Sequence, residues 1–293
     1  MLRTGACYLK AAFLTLPVAA LMIAMATLSP AWAAAPDGQE DICSSPAVIF
    51  CDNFENRATG FNDMARPIYK NPGWGQPGLG NEITVINASS GNVYNGTRGV
   101  QFYYPASTTE TGLGFMAIEG WNNETDLYFR YYHKFSANWR FSDIATKGFE
   151  TLINHSPGQS MYNWWSSGDT EVKHFAQNVG IVYSANVNGG EFRPQLDRWY
   201  CWEIRVKYNS GSSNGILEAW VDGVQRWNYQ NVALDSPGTT MLGFLVSGYW
   251  NRPSGGYPTM YRWFDNFVVS RQRIGCLSTD TTPPAAVTGL RAN

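Results

Sequence analysis

Alternation governs what this chain can become. In "YCWEIRVKY", Tyr200, Trp202, Ile204, Val206 and Tyr208 fall on one side while Cys201, Glu203, Arg205 and Lys207 fall on the other, the period of two that only an extended strand satisfies. Similar short runs, rich in β-branched and aromatic residues, are "DLYFRYYHKFS" from Asp126, "KGFETLINH" from Lys147, "AQNVGIVYS" from Ala176, "ILEAWVDG" from Ile216, "TMLGFLVSGYW" from Thr240 and "WFDNFVVS" from Trp263. With 29 glycines and 15 prolines spread between and within them, no helical period of useful length survives. Asp222-Gly223 is a strong two-residue hairpin signal. The expectation is an all-β domain in which two sheets meet through their apolar faces, each with one wet side.

The N-terminus carries Arg3 and Lys10, then an apolar run from Ala11 to Leu28 interrupted by Pro17, then Ala31-Trp32-Ala33. This reads as a cleaved secretory signal over residues 1–33 and not as a membrane anchor, so a secreted or periplasmic location is expected. A formal net charge of −2 lacks the basic footprint that nucleic acid or an anionic membrane demands, and excludes both as main partners. Cys7 leaves with the signal; Cys43, Cys51, Cys201 and Cys276 remain, an even set for an oxidising compartment. Of the three possible pairings, Cys43 with Cys51 and Cys201 with Cys276 is preferred. No C-x-x-C or Cys/His cluster offers zinc a ligand set. One domain spans residues 36–277 and is expected to be a monomer. The tail "DTTPPAAVTGLRAN", within residues 278–293, is a Thr/Pro linker whose end resembles the first strand of a fibronectin type III module.

"WYCWEIRVKYNSGSSNGILEAWVDGVQRWNY" followed by "MYRWFDNFVVSRQRIG" resembles the back half of concanavalin A-like jelly-roll proteins, a group that includes laminin G-like lectin modules and the polysaccharide lyases acting on alginate or glucuronan. "DLYFRYYHKFSANW" is similar to an earlier strand of the lyase-like members and "FCDNFEN" to their opening strand. The resemblance runs from Val48 to Cys276 and implies a two-sheet antiparallel jelly-roll sandwich. The E-x-D-x-x-E arrangement of jelly-roll glucanases is absent, which disfavours hydrolysis by paired carboxylates. Absent too are the R-[ST]-E-L, Q-[IV]-H and Y-x-K-x-G-x-Y motifs of the best-known alginate lyases, so a lyase of this kind belongs to a divergent branch.

β-Elimination on a uronate glycan needs a group that neutralises the sugar carboxylate, a base for the adjacent proton and an acid for the leaving oxygen. The stretch from Lys147 to Arg193 holds that inventory. His155 and Tyr183 are the base and acid candidates, with Lys147, Gln177 and Arg193 around the carboxylate; His174 and Tyr162 are further proton-transfer candidates, and Asn154 and Lys173 candidate substrate ligands. By the period of two, Lys147, Thr151 and His155 share one strand face and Gln177 and Tyr183 another. His133, among aromatics, reads as structural.

Aromatics carry a second hypothesis. Tyr162, Trp164 and Trp165 in "MYNWWSSGD", and Tyr249, Trp250 and Tyr257 in "SGYWNRPSGGYP", stand in glycine- and serine-rich stretches that read as loops, where flat faces can stack on sugars. The alternative to an acidic-glycan lyase is thus a non-catalytic carbohydrate-binding module using Trp164, Trp165 and Trp250; a third reading is an adhesion module. No cofactor is required, and Asp52, Glu55 and Asp265, in the echoing "FCDNFE" and "WFDNFV", are candidate ligands for a structural calcium.

Overall fold

A computed structural model describes residues 40–56, 83–106, 115–141, 146–154, 159–166, 169–250 and 256–277. Residues 1–33, read above as a signal, together with His155 and residues 278–293, lie outside the described residues.

Two antiparallel sheets face each other. The eight-stranded sheet runs β12 (Val224–Val232), β11 (Gly215–Val221), β10 (Trp199–Lys207), β5 (Asp126–Phe135), β14 (Met260–Ser270), β3 (Arg98–Tyr104) and β2 (Ile83–Asn87), with β1 (Val48–Asp52) also paired to β14. The six-stranded sheet runs β4 (Phe115–Glu124), β13 (Met241–Ser247), β6 (Thr146–Ile153), β7 (Gln159–Ser166), β8 (Asp169–Ala176) and β9 (Ile181–Ser184). This is the two-sheet antiparallel jelly-roll sandwich. Its core is where the apolar faces meet: Phe129, Trp202, Ile204 and Leu217 from one sheet against Phe149, Ile153, Phe244 and Val246 from the other. The Asp222-Gly223 hairpin forms as expected, with both residues at positive φ, 51° and 77°.

The two disulfides are Cys43–Cys51 and Cys201–Cys276, with Cα separations of 5.7 and 5.9 Å. The second changes the expected wet face of β10. Tyr200, Trp202, Ile204, Val206 and Tyr208 point inward, but Cys201 and Glu203 are buried as well. The segment after β14 lies over them: Ile274 and Gly275 donate their backbone N–H groups to Glu203 (2.6 and 3.1 Å), and Leu277 donates to the Tyr132 hydroxyl (2.7 Å).

Three stretches differ from their sequence reading. "AQNVGIVYS" is a hairpin and not one strand, because Gln177–Gly180 turn between β8 and β9 with Gly180 at φ 68°. "MYNWWS" belongs to β7 and not to a loop: it pairs with β6 on one side and β8 on the other, so ladder bonding outweighs its local turn signals. Trp250 is no exposed loop aromatic. Its side chain is buried, its indole N–H donates to the Arg140 carbonyl (2.9 Å), and its ring meets that of Tyr257 at 4.0 Å.

Between Gln225 and Asn228 the edge of β12 is closed by amides. Asn186 accepts from the Asn228 N–H (2.9 Å) and donates to the Asn228 carbonyl (3.0 Å), while Asn188 donates to the Gln225 carbonyl (3.0 Å). Side chains there replace the next strand.

Candidate functional site

Chemistry-bearing residues gather on the outer face of the six-stranded sheet. On β6, Phe149, Thr151 and Ile153 point into the sandwich, so Glu150 and Leu152 point away. Strict alternation would put Lys147 with Phe149, inside. It does not go there, because β6 carries one residue more than β7 between the pairs Lys147↔Trp164 and Glu150↔Tyr162, a bulge that resets which side faces out. The Lys147 ammonium consequently lies 3.5 Å from the Glu150 carboxylate and 5.3 Å from the centre of the Tyr249 ring.

Glu150 is 2% exposed. Its Oε2 is buried with no nearer polar partner than Lys147, and Ser247 hydrogen-bonds the same carboxylate. Burial raises the Glu150 pKa above its ordinary value, opposed by Lys147 and then by the Ser247 hydrogen bond. On β8, Lys173 lies 3.5 Å from buried Glu171. Through the pairs Lys147↔Trp164 and Trp164↔Lys173, the two lysines occupy one row, two strands or about 10 Å apart. Tyr162 pairs with Glu150 on β6 and with Phe175 on β8, two residues along β7 from Trp164, the residue that pairs with both lysines. At the sheet's edge Ile181 and Val182 are exposed.

The other expected site residues are placed elsewhere. Tyr183 and His174 pair across β9 and β8 and both face the core. The Tyr183 hydroxyl donates to the Ala233 carbonyl (2.9 Å), and burial raises its pKa, with Tyr229 adding. His174 packs 4.9 Å from the Trp227 ring, where burial lowers its pKa to about 3 and keeps it neutral. Neither meets a ligand on the outer face. Gln177 is in the turn, not on a shared face with Tyr183. Arg193 is exposed and paired with Glu191 (2.9 Å). Asn154 accepts from the Thr240 N–H (3.1 Å) and fastens the end of β6 to the start of β13. Thr151 is turned inward, its hydroxyl 2.6 Å from that of Tyr208, so it does not share a face with Lys147. His133 is buried, as its aromatic setting suggests. Glu150, Glu171 and Ser247 were not singled out by sequence; Gly148, inside an otherwise regular strand, was the available signal for the bulge.

The three carboxylates considered for calcium serve the backbone. Asp52 accepts from the Phe54 N–H (2.8 Å), Glu55 from Thr97 and Arg98 (2.8 and 2.9 Å), and Asp265 from Tyr94, Asn95 and Asn266 (3.0, 3.2 and 2.8 Å). N–H donors point at the oxygens that would ligate an ion, a set that does not fit calcium as arranged. Among the described residues no group of three or more His, Cys, Asp or Glu is gathered as a metal site. Burial pushes the Asp265 pKa well above its ordinary value, against backbone hydrogen bonds from Asn95 and Asn266.

No family model and no curated protein matches the chain. Solved structures do. A double mutant of alginate lyase Aly36B in complex with alginate tetrasaccharide is 15% identical, with a TM-score of 0.54 over 79% of this chain and 99% of that one. The cellulose induced protein Cip1 is 15% identical, with a TM-score of 0.53 over 78% of this chain and 99% of that one. The chain therefore has the fold of jelly-roll proteins that include polysaccharide lyases; at this identity the likeness concerns the fold.

Proposed function

We propose that this is a secreted, monomeric carbohydrate-active protein that cuts an acidic glycan by β-elimination on the outer face of its six-stranded sheet. The observation that carries the reading is the Lys147–Glu150 pair, set beside Ser247 and Tyr249 with Lys173 and Glu171 two strands away. In the reaction a base takes the proton on the carbon beside the uronate carboxylate, a carbon–carbon double bond forms, the glycosidic carbon–oxygen bond breaks, and an acid protonates the leaving oxygen. Lys147 and Lys173 neutralise carboxylates, lowering the cost of the developing negative charge. His155, which follows β6 in sequence and lies outside the described residues, and Tyr162, paired with Glu150 across β6 and β7, are the proton-transfer candidates kept in this reading; Tyr183 and His174 drop out because they face the core.

The test is incubation with alginate, glucuronan, a heparin-like glycan and a neutral glycan, following ultraviolet absorbance of the unsaturated product beside gel retardation on each polymer. Product that disappears in Lys147→Ala and His155→Ala supports the lyase. Retardation without product makes the chain a binding module, and neither result points to an adhesion module.

A further inference from the structure

The Lys147 bulge has an unusual support. Arg262, on β14 of the opposite sheet, is fully buried. Its guanidinium crosses the sandwich and donates through Nη1 to the Lys147 carbonyl on β6 and the Ser247 carbonyl on β13, both at 2.9 Å. Its Nε donates to His133 Nε2 (3.1 Å), and its carbon lies 4.9 Å from the centre of the Phe264 ring and 5.5 Å from that of Phe135. A buried cation is a far costlier way to fill a core than an apolar side chain of equal volume.

What the guanidinium supplies is found in the strands it touches. Regular pairing of β6 with β13 reaches Phe149↔Val246 and then breaks. Beyond the break the Lys147 N–H donates to the Tyr249 carbonyl (3.0 Å), but the Tyr249 N–H, which a regular pair would return to Lys147, goes to the Ser247 hydroxyl (3.1 Å). The Lys147 carbonyl accepts from Arg262. Buried carbonyls without a donor are costly, and resuming regular alternation would turn Lys147 to the Phe149 side, away from Glu150.

We infer that Arg262 is a positioning residue for the outer-face site: by holding the Lys147 and Ser247 carbonyls from inside, it fixes the bulge that delivers Lys147 to Glu150. His133 orients it. Burial, with Arg262 adjacent, keeps the His133 pKa well below its ordinary value, so its Nε2 remains an acceptor. The inference rests on the reading of the site given above only where activity is measured.

The experiment uses Arg262→Lys, which keeps the charge but not the two-carbonyl bridge, and His133→Phe, which removes the orienting acceptor. Arg262→Lys is expected to lower kcat on a polyuronate at least about tenfold with KM within about twofold. The Lys147 side-chain nitrogen resonance should move toward that of a free lysine, and exchange of the Lys147 amide should quicken about tenfold while Ile204 in β10 changes less than about twofold. His133→Phe should give the same pattern, about threefold in exchange, and it decides the matter where Arg262→Lys does not fold. An unmoved Lys147 resonance with unchanged local exchange overturns the inference, even where kcat has fallen. Wild-type protein that cuts no polyuronate overturns the lyase reading instead, and the resonance and exchange data still decide the role of Arg262.

Discussion

The outer faces of the two sheets carry similar residues in different states. On the eight-stranded sheet Arg205 grips Asp126 through two hydrogen bonds (2.9 and 2.8 Å) and Glu218 through a third (2.9 Å), with the Tyr128 ring beneath it. Glu203 beside it is capped by backbone N–H groups and sealed under the disulfide-tied segment. On the six-stranded sheet the Lys147–Glu150 and Lys173–Glu171 pairs stand at 3.5 Å, and Glu150 keeps one oxygen without a hydrogen bond. Carboxylates of the Arg205 network are met by guanidinium and backbone donors at hydrogen-bond distance, whereas those beside Lys147 and Lys173 meet ammonium groups at longer range, and the proposed site relies on that difference.

The largest expected effect breaks the sealed face. Replacing Cys201 and Cys276 by alanine opens a loop with a sequence separation of 75 and should lower the unfolding free energy by about 4 kcal/mol in urea titrations. Elimination activity per folded molecule should stay within about twofold; its loss would erase the distinction between the faces. Next, Lys147→Ala should slow elimination at least about a hundredfold, roughly 2.7 kcal/mol, with little change in melting temperature. Arg205→Met should do the reverse, costing about 1 to 2 kcal/mol of stability because the network is partly solvent-screened, and sparing the rate.

The smallest effect concerns pH. Because the folded-state pKa of Glu150 is raised, its contribution to stability is complete below the unfolded value and is lost as pH rises through the folded one. Glu150→Gln should therefore gain in melting temperature relative to wild type as pH rises from about 4 to 7, by an amount worth under about 1 kcal/mol. A gap that shrinks over that interval would mean that Lys147 and Ser247 outweigh burial.

Much of the scaffold was legible because period-two alternation and turn chemistry are local. The inward row of β10 and the Asp222-Gly223 turn follow directly from residue order. The site was harder to read for the same reason. Alternation fixes faces only until a bulge resets them, and β6 resets at Gly148, which separates Lys147 from Thr151. Tyr183 and His174 have the chemistry of a site and the position of a core, a difference set by which side of β8 and β9 meets Trp227 and Tyr229. Arg262 was invisible as a support, because a charge pointing inward across two sheets leaves no mark in its own strand.

The amides of Asn186 and Asn188 have one more consequence. Over Gln225 to Asn228 the β12 edge offers a second copy of the chain no open main-chain template, so crowded molecules are kept from zipping into a continuous ribbon through that stretch.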